Sequence, residues 1–532
     1  MTHRCHDRVF RSSTSCRIVV VSFQFTPRVI LMPFPRSSGI LLHPTSFPSR
    51  FGIGDLGDEA HRFIDFLVES GQQFWQILPI GPTGYGNSPY MSYSAMAGNP
   101  LLVSPDRLVE AGWLEETDFA DLPEFPRDRV DYDRAIAVKM PLLQKAFERY
   151  RDNATDEQRE AFNHFCDEKA YWLDDYSLFM SIKEAHAGVS WHNWDLGISR
   201  RDPGAMHIWH EQVGESVYLH KFLQFEFFRQ WSEIKDYANE RGIAIVGDLP
   251  IYVAHDSADV WANPDIFCLD PESGEAALMA GVPPDYFSDT GQLWGNPVYN
   301  WDRLKETDFE WWVKRFHAML DYVDVIRIDH FRGLESYWVV EEGETTAING
   351  RWVEAPGEHF LQRVADKLGQ LPLIAEDLGI ITPEVEHLRD HFALPGMKIL
   401  HFAFGSGAGN PYLPFNFYNR NCIVYTGTHD NDTTVGWFEK LADHERQGLL
   451  AYLGEVSSWG IHWDLIRVAW SSVANQAIVP LQDLFGLGSE ARMNFPSKPE
   501  GNWEWRYQSG DLKPEYARRL KMLTETFGRA KS

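Results

Sequence analysis

At 532 residues the chain exceeds one small domain and fits either one large barrel with insertions or two to four ordinary domains. A net charge of −27 excludes a surface built for nucleic acid or anionic membrane, and it suits a neutral substrate. Apolar residues make up 44%, enough for a sizeable core, while no run reaches the roughly 18 apolar residues that a membrane helix needs.

Residues 1–31 carry Arg4, Arg8, Arg11, Arg17 and Arg28, several serines and one acid, Asp7. Basic, serine-rich and acid-poor is the composition of an organelle transit peptide. Residues 18–21 are β-like and no amphipathic helix appears, so the favoured reading is a disordered extension upstream of a start at Met32. Five cysteines (Cys5, Cys16, Cys166, Cys268 and Cys422) are odd in number and widely spaced. This argues against a disulfide framework or a structural zinc site and points to a reducing compartment.

The first strand-like run, residues 74–78, stops at Pro79. A loop at 81–90 follows, with turns fixed by Gly and Pro and with Tyr85 and Tyr90 displayed on it. From 105 to 241 the pattern is helical. Tyr218, Phe222 and Phe225 fall on one helix face, and residues 167–185 read as helix. Strand-like runs then recur at 243–246, 323–328, 371–375, 397–404 and 423–425, with helical patterns such as 308–320 and 358–368 between them. Largely apolar runs that end in polar residues mark strands buried on both faces, and alternating β and α at this spacing predicts a parallel sheet. That sheet is either a barrel or an open doubly wound sheet, without the glycine fingerprint of a nucleotide site. The residues after Asp430 read as helix or loop, with no run of strands for a separate β-sandwich.

Three runs end in acids: Asp329 after 325–328, Glu376 after 373–375, and Asp430 after 423–429. A parallel barrel places functional side chains at the C-terminal ends of its strands. Two carboxylates across a glycosidic bond are the minimal equipment for breaking it, so the chain reads as an enzyme acting on sugars. Arg327 and Asp329 share a strand face, and the cation favours the ionised acid that a nucleophile requires; a structural ion pair fits the same pair of residues. Glu376 at an apolar strand end suits a general acid, but an acid at the start of the next helix is the plainer alternative, and Asp377 competes. Asp430, within Thr428-His429-Asp430-Asn431, fits a second carboxylate holding sugar hydroxyls, with His429 beside it, or simply a turn. Metal binding at His429 lacks a second histidine at ligand spacing. A second loop, 281–301, is rich in Gly, Pro and aromatics, as a lid over a site would be.

The sequences at 81–90 (Gly-Pro-Thr-Gly-Tyr-Gly-Asn-Ser-Pro-Tyr), 292–297 (Gln-Leu-Trp-Gly-Asn-Pro), 327–333 (Arg-Ile-Asp-His-Phe-Arg-Gly), 375–379 (Ala-Glu-Asp-Leu-Gly) and 428–431 (Thr-His-Asp-Asn) closely resemble the amylomaltases. These are the 4-α-glucanotransferases, or disproportionating enzymes, of glycoside hydrolase family 77. The resemblance runs from about residue 38 to 507, and Arg492-Met493-Asn494 and Gly501-Asn502-Trp503 extend it. It implies an α/β fold, a (β/α)8 TIM barrel with large, mainly helical insertions and no separate C-terminal β-domain. It also implies a retaining mechanism with Asp329 as nucleophile, Glu376 as acid and base, and Asp430 as transition-state stabiliser. Nucleophile and acid would then stand about 5–5.5 Å apart. Arg327 and His429 would assist and Asp248 would support the site. Tyr90, Ser88, Asp285 and Trp294 would contact substrate, and Tyr85 would sit at a secondary glucan groove. Asn87 stands where the family more often has Asp.

The family uses no cofactor or metal, and the expected partners are α-1,4-glucans, maltooligosaccharides and glucose, with neither nucleic acid nor membrane. An α-amylase-type hydrolase and a non-catalytic glucan-binding protein are the competing functions. The expected organisation is 1–31 as extension, 32–104 as the start of the barrel with its substrate loop, 105–241 as helical insertion, and 242–532 as the rest of the barrel with the lid at 281–301. The expected compartment is the cytoplasm, or a plastid if residues 1–31 are a transit peptide.

Overall fold

Short apolar runs that are hydrophobic on both faces need cover on both sides, and a closed barrel wrapped in helices provides it. The computed structural model describes residues 34–284, 288–369, 371–496, 498 and 500–531. The expected 1–31 extension lies outside them. Among the described residues twelve strands occur in chain order: β1 (Ser37–Leu41), β2 (Phe74–Gln76), β3 (Ala244–Pro250), β4 (Leu278–Val282), β5 (Gln292–Pro297), β6 (Val325–Asp329), β7 (Ser336–Glu341), β8 (Gly350–Glu354), β9 (Leu373–Ala375), β10 (Gly396–Ile399), β11 (Cys422–Tyr425) and β12 (Gln476–Pro480).

Eight of them form one parallel sheet in the order β10-β11-β12-β1-β2-β3-β6-β9. The Ala375 amide donates to Pro395 O at 2.9 Å, which joins β9 to the entry of β10 and closes the ring. The fold is a (β/α)8 barrel. Side chains alternate along each strand and divide the core in two. Val246, Val325, Ile374, Met397, Ile423 and Ile478 pack with one another in the interior of the barrel, while Ile245, Ile326, Leu373, Val424 and Ala477 pack outward against helices. No helix among the described residues is long and apolar enough to cross a membrane.

Two barrel strands escape the sequence reading. β1 and β12 pair with each other, and β12 lies in the tail expected to be helix or loop. Its run, Gln-Ala-Ile-Val-Pro, is too short to declare a period. The run at 397–404 is strand only to Ile399; the backbone then tightens into a 3-10 turn at Leu400–Phe402. The remaining strands form a separate antiparallel sheet, β5-β4-β7-β8. The segment expected as a lid loop therefore holds the end of β4 and all of β5, paired as an antiparallel hairpin. Its register shifts between Met279 and Gly281, which breaks the alternation that would have signalled strands.

Between β2 and β3 lie three long helices, Tyr132–Asn153, Asp156–Ala185 and Gly214–Glu240. The second begins with a capping box: Thr155 accepts from the Gln158 amide while Gln158 accepts from that of Thr155. Tyr218, Phe222 and Phe225 meet Phe162, Tyr150 and Phe165, with ring centroids 4.9–5.7 Å apart. From the third helix, Gln224 exchanges two 2.8 Å hydrogen bonds with the backbone of Gly98. Burying that amide side chain costs little because both its groups are paired. The bonds anchor the segment that follows the 81–90 loop.

Candidate active site

Period-two alternation selects the acids. Val325 faces the barrel interior, so Arg327 and Asp329 do as well. Val246 places Asp248 there, and Ile374 places Glu376 there. Asp377 has the opposite parity and turns outward. Arg389 and the Met397 amide (2.7 Å) occupy its carboxylate, and a Cβ on Gly396 would stand 2.3 Å from its Oδ2. This removes Asp377 from the competition with Glu376. Both ends of the Asp377–Arg389 pair are buried. Arg389→Met leaves an uncompensated carboxylate and is expected to cost roughly 3–5 kcal/mol, read as a lower denaturation midpoint.

Arg327 organises the interior layer. It is buried and pairs in register with Asp248. Its Nη1 donates to Asp248 Oδ1 and Oδ2 at 2.6 and 2.7 Å, and it lies 3.0 Å from Asp329 Oδ1. Glu376 accepts two backbone bonds, from His330 N to Oε2 at 2.8 Å and from Leu378 N to Oε1 at 2.9 Å. His330 adopts the left-handed region, φ +56°, which turns its amide back onto Glu376.

Burial holds the Glu376 carboxyl above the ordinary range, with Arg327 and the two amides opposing. Burial also pushes Asp329 up; Arg327 pulls it down, and Asp248, Glu376 and Asp430 add to the rise. Neighbouring carboxylates do not ionise independently. Asp329 keeps 30% of its side chain exposed and faces Arg327 directly, whereas Glu376 is held by two backbone amides, and the two carboxyls titrate as a pair.

Asp430 follows β11 through the turn at Thr428 and Asn431. Asn494 Nδ2 donates to its Oδ1 at 2.6 Å, Arg492 Nη2 donates to its carbonyl at 2.6 Å, and His429 Nε2 lies 3.3 Å from its Oδ2. Burial depresses His429, so the ring is neutral. Tyr90 donates its hydroxyl to Asp248 at 2.7 Å and lies 2.8 Å from His429 Nε2, with the two rings stacked at 5.4 Å. A continuous polar chain thus runs Asp329, Arg327, Asp248, Tyr90, His429, Asp430.

The other expected site residues fall around this chain. Trp294 lies on β5 with its ring 4.9 Å from that of His330, edge to face, beside Asp329. Ser88 turns inward to its own loop and accepts from Tyr90 N at 3.3 Å. Tyr85 is 77% exposed and stands apart from the acids. Asn87 has φ +53°, a conformation that Asn tolerates well. Asp285 lies outside the described residues. The sequence reading assigned no role to Asn494 or Arg492. They follow β12, the strand it missed, and no local pattern marks an amide that will meet an acid 64 residues earlier.

A layer of buried charge with a partly open carboxyl beside an amide-held one whose proton burial favours can deliver a nucleophile and a proton to the same bond. The family model for 4-alpha-glucanotransferases, glycoside hydrolase 77, matches residues 42–512. The chain is 60% identical over 495 residues to the 4-alpha-glucanotransferase of Synechocystis, covering 93% of this chain and 98% of that one. It is 49% identical to that of Thermus thermophilus (93% and 99% covered) and 43% identical to the chloroplastic/amyloplastic enzyme of Solanum tuberosum (93% and 86%). The solved structure of amylomaltase from Streptococcus agalactiae in complex with acarbose superposes with a TM-score of 0.90 at 39% identity, covering 93% of this chain and all of that one.

Proposed function

The chain belongs to the 4-alpha-glucanotransferase family of glycoside hydrolase 77, and from that premise we propose that it moves α-1,4-glucan segments between chains through a covalent glycosyl–Asp329 intermediate. Glu376 gives its proton to the glycosidic oxygen as Asp329 attacks the anomeric carbon. The C1–O bond breaks, a C1–Oδ ester forms, and the released chain leaves with the proton. The acceptor hydroxyl then returns a proton to Glu376 and displaces Asp329. Asp430 stabilises the oxocarbenium-like charge in both steps. The observation that carries this reading is the shared layer: Arg327 binds Asp329 while two backbone amides aim Glu376 at the same place.

The test is incubation of the protein with maltotriose and chromatography of the products. Glucose with a ladder of longer maltooligosaccharides supports transfer; glucose and maltose alone would mean hydrolysis and overturn it.

Transfer requires that a sugar, not water, meets the intermediate. Trp294, on the hairpin beside His330, is placed to hold that acceptor. Trp294→Ala is expected to raise the ratio of hydrolysis to transfer about tenfold, which is about 1.4 kcal/mol. An unchanged ratio of free glucose to ladder removes the hairpin from this role.

Asn494 fixes which oxygen of Asp430 faces the sugar. Asn494→Ala is expected to lower kcat about 10- to 100-fold, the cost of a misplaced group, with KM nearly unchanged and the melting temperature retained. Equal effects on kcat and melting temperature would mark Asn494 as merely structural.

Cys166, Cys268 and Cys422 are free thiols, which supports a reducing compartment such as the cytoplasm for this reaction.

A further inference from the structure

Away from the acids, three segments distant in sequence bring two imidazoles and a carboxylate together. One ligand atom each from His192, His255 and Glu275 lies within 4.8 Å of the other two. His192 belongs to the 3-10 turn Trp191–Asn193 that follows the long helix Asp156–Ala185. His255 lies on the loop leaving β3, and Glu275 closes the turn before β4.

The hydrogen bonds define what each ring presents. Asn193 Nδ2 lies 2.8 Å from His192 Nε2, and Ser190 Oγ lies 3.0 Å from Nδ1. The same Nε2 faces Glu275 Oε1 at 3.0 Å, a separation that one proton or one shared cation can join. His255 donates Nε2–H to Gly274 O at 2.8 Å, the backbone bond that commonly orients a ligating histidine. The close approach is built in. Gly274 has φ +77°, and a Cβ there would meet the Trp191 and His192 side chains at 3.2–3.3 Å. Any other residue would be strained at this φ and would crowd the Trp191 and His192 side chains.

We propose that His192, His255 and Glu275 bind a borderline divalent cation, Zn2+ or Co2+ by class, with water completing its coordination. Two imidazoles and one carboxylate suit such ions and not Ca2+ or Mg2+, which prefer all-oxygen sets. The bound cation would tie the helical segment before β3 to the base of the β4–β5 hairpin that carries Trp294. The sequence reading, which expected no metal, had no means of seeing this: the three residues are 63 and 20 positions apart, far from any ligand motif.

The test uses the full chain, stripped with a chelator and titrated with ZnCl2 by calorimetry. One equivalent should bind, and His192→Ala, His255→Ala and Glu275→Gln should each weaken it at least about tenfold. His391→Ala, which alters the separate His387/His391 pair, should leave it unchanged. Zn2+ should raise the melting temperature of the parent protein and not of the three variants. Co2+ added to the parent should give visible absorption bands that Zn2+ displaces, a readout that stands even if a histidine variant fails to fold. Failure of the parent protein to take up Zn2+, or an affinity unaltered in Glu275→Gln, would overturn the proposal.

Discussion

Asp329→Asn will lower the rate of maltotriose disproportionation by on the order of 10^4-fold or more, the scale seen when an enzyme loses its nucleophile. The substitution conserves shape. Arg327 keeps both bonds to Asp248, so the buried cation stays paired and the fold should hold. What disappears is the partly exposed carboxylate that faces Arg327. An amide cannot form the glycosyl ester, so no covalent intermediate should appear by mass spectrometry when a maltosyl fluoride donor is supplied. Activity above about 1% of the parent, with unchanged melting temperature, would exclude Asp329 as nucleophile, because no residual catalysis by binding alone reaches that level.

Glu376→Gln should cost on the order of 10^2–10^4-fold with natural glucans, the usual worth of a positioned general acid. The pH profile makes this prediction specific. In the proposed mechanism the first step needs Glu376 protonated and Asp329 ionised. Burial raises the Glu376 carboxyl, so its proton persists above the ordinary carboxylate range and the rate falls as pH climbs through that raised value. The acid limb reports protonation of the pair's remaining carboxylate as pH falls, and because burial raises Asp329 as well it too stands above the ordinary carboxylate range. In Glu376→Gln the alkaline limb should vanish while the acid limb remains. Formation of the glycosyl–enzyme from a donor with a fluoride leaving group, which needs no proton, should be nearly restored. If the alkaline limb survives the substitution, the proton comes from elsewhere.

Which features were visible beforehand follows from the range of the forces involved. The acids at the ends of β6, β9 and β11 were legible because a strand buried on both faces is apolar throughout, and a carboxylate at its end stands out. The same alternation, once the interior residues are known, separates Glu376 from Asp377; in the sequence the residue pattern left Asp377 in competition and the family resemblance chose Glu376. β1 and β12 were not legible. They are short, and their stability comes from pairing with each other across the whole chain. The β5-β4-β7-β8 sheet was missed for a related reason: its strands hold Gly281, Gly295 and Gly350 and a register shift, so no period develops. Asn494 falls in a stretch that extends the family resemblance, but nothing local gives its carboxamide a role, since its partner Asp430 reaches it only after the barrel has closed.

That closure has a consequence in time. Ser37 on β1 pairs with Gln476 on β12, so this strand must wait for a neighbour encoded more than 400 residues later. At ribosomal rates of about 5–20 residues per second the wait lasts roughly 20–90 s. Throughout it, one edge of β1 is an unpaired row of amides and carbonyls, the kind of template that invites a wrong partner. The nascent chain should therefore be a substrate for chaperones during most of its synthesis. Ribosome-bound fragments ending before residue 476 should be protease-sensitive at β1, and fragments that include β12 outside the exit tunnel should be protected there.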